Sequence, residues 1–110
     1  MTIVERFFNY VAFDTQSDDA SGKTPSTAKQ MTFAEFLKKE LIEIGLQEVE
    51  LDDLGYLYAT LPANTEQPIP TIGFIAHMDT SDAASGADVK PQIIENYQGG
   101  PIRLNDEITI

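Results

Sequence analysis

Hydrophobic residues recur in this chain first at helical spacing and then in alternation, and the change of period divides it. Val4, Phe7, Phe8 and Val11 lie on one helical stripe behind Thr2 and Glu5, whose three-residue separation is a capping-box pattern. A first amphipathic helix is therefore expected, ending near Phe13. Residues 14–26 are small and polar with a glycine and a proline, which predicts a surface loop. Thr27 with Gln30 repeats the capping pattern before the stripe Phe33, Leu37, Leu41 and Ile44, and Gly45 is placed to stop that second helix. Met31 and Phe36, beside the stripe, read as packing residues.

Val49 and Leu51 alternate with acids, Asp53-Leu54-Gly55 supplies a turn, and residues 56–61 alternate again, so an antiparallel hairpin is expected. Tyr56 and Tyr58 share one of its faces and read as half-exposed sheet residues. After the proline-constrained linker 62–70 comes Thr71-Ile72-Gly73-Phe74-Ile75-Ala76-His77-Met78-Asp79-Thr80. Its near-continuous apolar run reads as a buried central strand of a parallel sheet. A small-residue loop follows over 80–88, then a short strand at Ile93 and Ile94. A Gly99-Gly100-Pro101 turn precedes apolar segments at 102–104 and 108–110. The order α, α, β, β, β predicts an α/β fold.

The candidate chemistry sits where that fifth element ends. Side chains alternate along a strand, so His77 and Asp79 point the same way, roughly 6.5 to 7 Å apart along the backbone. A neutral imidazole binds zinc through one nitrogen, and a carboxylate that accepts the other N–H fixes its tautomer. Ligands in open α/β sheets bind just outside the carboxyl ends of the strands, where this pair falls.

Composition narrows the function classes. Eighteen acidic against seven basic residues give a net charge of −11, which repels nucleic-acid phosphates and anionic membrane surfaces. The acids are dispersed over the second helix and the hairpin, as a solvated surface requires. Asp18 and Asp19 lack the ligand spacing of an EF-hand, so calcium is not expected there. With no cysteine, a metal must use nitrogen and oxygen donors. No apolar run approaches the ~20 residues of a membrane span, and the first residues lack a signal-peptide pattern, so a cytoplasmic location is expected.

Four segments carry a family resemblance: Thr-Pro-Ser-Thr at 24–27, Gly-Tyr-Leu-Tyr-Ala-Thr-Leu-Pro at 55–62, Phe-Ile-Ala-His-Met-Asp-Thr-Ser at 74–81 and Pro-Gln-Ile-Ile-Glu-Asn-Tyr-Gln-Gly-Gly at 91–100. Together they resemble the amino-terminal part of the peptidase T family, cytoplasmic zinc-dependent tripeptide aminopeptidases among the di-zinc exopeptidases. The resemblance spans nearly the whole chain. It implies that residues 1–110 form part of a zinc-exopeptidase catalytic domain: two helices, a hairpin and a central strand of a mixed sheet. By the same resemblance His77 matches a zinc ligand. Asp79 matches the aspartate that orients this imidazole and counts among the active-site residues. The family's bridging aspartate, glutamate general base, remaining ligands and lid domain come later and have no counterpart here.

The implied activity is removal of the amino-terminal residue from tripeptides by metal-activated water with two zinc ions. The 110 residues alone are expected to be inactive, since a catalytic zinc normally takes three protein ligands. A reading of a different class makes the chain a stand-alone, non-catalytic interaction domain derived from this fold. Either way, uncovered strand edges and apolar faces lead us to expect self-association.

Overall fold

Thr2 caps the first helix as its spacing with Glu5 predicts. The structure, a computed structural model, describes residues 1–110 and opens with α1, Ile3–Val11. The Thr2 hydroxyl accepts from the Glu5 N–H at 3.2 Å, and the Glu5 carboxylate accepts from the Thr2 N–H at 2.6 Å. The bond from the Thr2 N–H first, and then the Thr2 hydroxyl beside the carboxylate, hold the Glu5 carboxyl below its usual range.

The second helix, α2, runs Ala28–Glu43. Its far end is a Schellman stop. Gly45 takes φ +93°, its N–H donates to the Ile42 carbonyl at 3.0 Å, and the Leu46 N–H reaches back to the Leu41 carbonyl at 3.0 Å. The near end departs from expectation: Thr27 stands at the N-cap position but makes no side-chain cap bond. Its hydroxyl donates to the Gln16 carbonyl at 2.9 Å, so a contact from the preceding loop displaces the local cap.

The core is small and aromatic. Phe33 and Ala34 are its buried apolar residues. The Phe33 ring lies 5.4 Å from Tyr10 edge-on and 5.1 Å from Phe13, while Phe36 lies 4.9 Å from Phe13. A polar clasp joins the helices beside these rings: the buried Glu40 carboxylate accepts from Arg6 Nε at 3.0 Å and from the Tyr10 hydroxyl. The outer members of both predicted stripes stay in solvent, with Val4, Phe7 and Ile44 about half exposed, because no element lies over them.

The hairpin forms as expected. β1, Gln47–Leu51, pairs antiparallel with β2, Leu57–Thr60, and α2 packs on both strands. Asp52 builds the turn: its Oδ1 accepts from the N–H groups of Leu54 at 3.0 Å and Tyr56 at 2.8 Å, while Gly55 takes φ +87°. A bulge between Gln47 and Glu50 has Glu48 at φ +49°. Tyr56, just before β2, and Tyr58, within it, are each somewhat more than half exposed.

The fifth element is where the structure corrects the sequence reading. Residues 71–79 form no ladder, and Thr80 alone makes a bridge, parallel to Gln16. Ile72, Phe74 and Ile75 are 76%, 94% and 102% exposed. A strand becomes central only when other strands flank it. The hairpin strands here pair with each other, and no other segment of the chain lies along 71–76. The architecture is thus α/β with a two-stranded antiparallel sheet rather than a mixed sheet. Ile93 and Ile94 form no strand, while 102–104 and 108–110 pair through reciprocal bonds between Ile102 and Ile110 of 2.7 and 2.9 Å.

The resulting surface is large. Its accessible area is 9133 Å², against about 6,000 Å² for a compact monomer of this mass. The radius of gyration is 17.5 Å, against about 13 Å for a compact domain of this length. No helix is long and apolar enough to cross a membrane.

Candidate functional site

The placing of His77 and Asp79 begins at α2. Gln30, buried in its first turn, donates its amide to the Ser26 hydroxyl at 3.1 Å and to the Thr15 carbonyl at 3.5 Å. With Thr27 on the Gln16 carbonyl, the N-cap residue and a first-turn residue of α2 brace the loop at Thr15 and Gln16. That loop then grips Thr80: the Thr80 N–H donates to the Thr15 carbonyl at 3.2 Å, and the Ser17 N–H donates to the Thr80 carbonyl at 2.9 Å. Thr80 directly follows Asp79, so these bonds fix where the extended segment ends.

The neighbouring loop is locked by charge and close packing. Asp14 accepts from Lys29 Nζ at 2.7 Å and from the Gln16 N–H at 3.1 Å, and these bonds, the lysine's first, hold its carboxyl below the ordinary 3.8. Gly86 is buried against this corner; a β-carbon there would stand 2.8 Å from Asp14 Oδ1 and 2.9 Å from Thr80 Oγ1. Because Asp14 is already committed to two donors, Gly86→Ala is expected to destabilise the loop contact by roughly 1–2 kcal/mol. Hydrogen exchange at the Thr80 amide measures this; unchanged protection in the variant would refute the docking.

The extended backbone brings the predicted pair together. The His77 ring Nδ1 lies 3.1 Å from Asp79 Oδ1 and 2.8 Å from the Asp79 carbonyl oxygen. Both oxygens are acceptors, so they are satisfied by a proton on Nδ1, and in the neutral ring that tautomer leaves the lone pair on Nε2. The His77 side chain is 85% exposed and Asp79 44%, which leaves Nε2 open to solvent. The sequence reading expects the carboxylate to partner one ring nitrogen; that nitrogen is Nδ1, and the aspartate's backbone carbonyl shares the role at the shorter distance.

Two clefts meet at this pair. One, of about 410 Å³, is apolar and lined by Tyr10, Phe13, Phe33 and Val89 beside His77 and Asp79. The other, of about 340 Å³, is more polar, with Lys23, Ser26 and Tyr56 facing the same two residues. Nowhere do three or more His, Asp or Glu side chains gather so as to hold a metal ion. The donor chemistry on this chain therefore amounts to one imidazole nitrogen with an acid behind it, which suits a single coordination bond to a divalent transition metal.

The sequence reading assigns no site role to Thr15, Gln16 and Gln30, which position the segment, Thr15 and Gln30 also lining the clefts beside it. A signal exists in Gln30, an amide at a helix start: its pairing with Thr27 predicts a local cap, whereas its amide reaches the Ser26 hydroxyl four residues back and the Thr15 carbonyl fifteen back.

No protein-family model matches the chain. Among curated relatives, the peptidase T of Vibrio atlanticus (strain LGP32) is 57% identical over 104 residues, which cover 94% of this chain and 25% of the relative. That of Caldanaerobacter subterraneus subsp. tengcongensis is 60% identical over 105 residues, covering 96% and 26%. For Geobacillus sp. (strain WCH70) the figures are 56% over 108 residues, 98% and 26%. The chain thus spans about a quarter of the length of the curated relatives it matches. It corresponds to the amino-terminal part of peptidase T.

Proposed function

We propose that the chain acts as the amino-terminal part of a cytoplasmic, zinc-dependent tripeptide aminopeptidase. In this reading His77 is a zinc ligand and Asp79 is the active-site acid that orients it. The observation that carries the proposal is the match to peptidase T along nearly all of the 110 residues, with the His77–Asp79 pair inside the matched stretch. The geometry supports the role given to each residue. The two Asp79 oxygens beside Nδ1 favour the tautomer with its proton there, which in the neutral ring leaves the exposed Nε2 as the donor to a cation. Ser17 and Thr15 hold Thr80, which limits rotation of the segment bearing both side chains.

Bound zinc would supply a water of lowered pKa and polarise the scissile carbonyl. The chain contributes one ligand and its orienting acid to that set. Further ligands, a general base and the second zinc's site belong to the remaining length of the related enzymes. The 110 residues alone should bind zinc weakly and hydrolyse nothing.

The test is reconstitution. Purified chain, zinc and a tripeptide should release no amino-terminal amino acid. Addition of the remaining three-quarters of the Vibrio atlanticus relative should start release, and His77→Ala should prevent it. Release by the chain alone would overturn the assignment of inactivity; absence of release from the reconstituted mixture would overturn the enzymatic reading. A second reading, a stand-alone interaction domain, is favoured by the large exposed apolar surface, and the same failure to reconstitute would support it.

A further inference from the structure

We infer that Gln16 is a positioning residue for the His77–Asp79 pair, its side-chain amide clipping down the loop that follows Asp79. Nε2 donates to the Asp82 carbonyl at 3.2 Å, and Oε1 accepts from the Gly86 N–H at 3.4 Å. One amide thus spans the loop from residue 82 to residue 86. The remaining hydrogen bonds of residues 81–87 are local, from the Ala83 N–H to the Ser81 hydroxyl and from the Ala87 N–H to the Ser85 hydroxyl. Beyond Thr80, Gln16 therefore supplies the hydrogen bonds that tie this loop to the rest of the chain. The inference rests on the roles given above to His77 and Asp79.

Gln16 can hold the loop because it is held itself. Its N–H donates to Asp14 Oδ1 at 3.1 Å, and its carbonyl accepts from the Thr27 hydroxyl at 2.9 Å. Asp14 is bound in turn by Lys29 of α2, so both backbone groups of Gln16 are referred to the helix start. The two loop groups select an amide for the side chain. The Asp82 carbonyl can only accept and the Gly86 N–H can only donate, so their partner must offer one donor and one acceptor together. A carboxylate has no donor for the carbonyl, and asparagine falls a methylene short.

The clip acts on the pair through the peptide group between Asp79 and Thr80. The carbonyl oxygen of that group lies 2.8 Å from His77 Nδ1, while its N–H donates to the Thr15 carbonyl at 3.2 Å. A planar peptide bonded at both ends turns only if the chain on either side moves. Gln16 holds the downstream side, where the buried Gly86 lies so close that an added β-carbon would stand 3.2 Å from Gln16 Cβ. Loss of the amide should free residues 81–86, let the peptide turn and withdraw its carbonyl from Nδ1. The ring would then keep one of its two acceptors, and the Nδ1–H tautomer would lose part of its preference.

Proton–nitrogen NMR of the imidazole in the full 110-residue chain, without metal, tests this. The chain has one histidine, so its two ring nitrogens are read without overlap. At about pH 8.5, where an ordinary imidazole is neutral, the unmodified chain should show a protonated Nδ1 and a bare Nε2. Gln16→Ala should shift the two nitrogens in opposite directions, toward the averaged values of an unconstrained ring. Gln16→Glu, which keeps the length and loses the donor, should shift them likewise. Gln67→Ala, exposed in the linker, should leave them in place, and the amide signals of α1, α2 and the hairpin should persist in all three variants. Ring nitrogens unmoved by Gln16→Ala would overturn the inference. So would equal movement in the Gln67 control, a mixed tautomer in the unmodified chain, or loss of the helix signals in both Gln16 variants, which would make the residue one of general folding. Neither zinc nor turnover enters, so failure here is distinct from a failed reconstitution.

Discussion

Replacing Phe33 with alanine is expected to lower the unfolding free energy by about 3 to 4 kcal/mol. The residue is 7% exposed and its ring touches both sides of the only aromatic cluster, with Tyr10 at 5.4 Å, Phe13 at 5.1 Å and Phe36 at 6.3 Å. Truncation removes the transfer energy of a ring and leaves a space that three other rings, held by two chain segments, cannot close. Edge-on and tilted ring pairs add about 0.5 to 1.5 kcal/mol each beyond area burial. The chain has no tryptophan, so urea unfolding followed by tyrosine fluorescence and circular dichroism measures the loss. Phe74→Ala is the contrast: the same side chain is removed from a 94% exposed position, and the change should stay within about 0.5 kcal/mol. Equal losses in the two variants would show that the cluster is not the core.

Glu40→Ala should cost about 2 kcal/mol, because one buried carboxylate satisfies two donors from α1. Arg6 Nε and the Tyr10 hydroxyl both lose their acceptor, and α1 loses its polar tie to α2. Glu40→Gln keeps the volume and an acceptor for Tyr10 but discards the charge, so about half the loss should remain. The Tyr10 phenol reports on the same contact. Burial first, and then its bond to Glu40, push its pKa from 10.0 up to about 12. A raised pKa means that the folded state favours the protonated phenol. This contribution is therefore complete below pH 10 and disappears as pH climbs through 12. In Glu40→Ala the tyrosine should ionise at lower pH, yet still above its ordinary value, because burial is the larger cause. Ultraviolet titration of tyrosinate measures this; no late-ionising tyrosine in the unmodified chain would refute the clasp.

Local signals were read well from sequence. The Thr2–Glu5 box, the Gly45 stop and the Asp53-Leu54-Gly55 turn each involve groups within about five residues, so their geometry follows from backbone sterics and nearby donors. The meeting of His77 with Asp79 is of the same kind, since an extended backbone carries residues two apart on one side. Thr27 and Gln30 have the residue types of a cap, but the Gln16 carbonyl takes the first side chain and the Thr15 carbonyl shares the second. Those acceptors become visible only when the loop folds back over the helix start.

Burial was the property that sequence could not decide. Ile72, Phe74 and Ile75 have the composition of an interior strand and stand in solvent, while Glu40, Gln30 and Thr15 have the composition of a surface and are buried. Hydrophobicity states what a side chain gains if a neighbour arrives, but not whether one does. The sequence by itself determined the two helices, the hairpin and the histidine–aspartate pair, because each is settled by contacts a few residues long. Only the tertiary structure decided which faces are covered and which loop steadies the pair, because those depend on chain segments brought together across the fold.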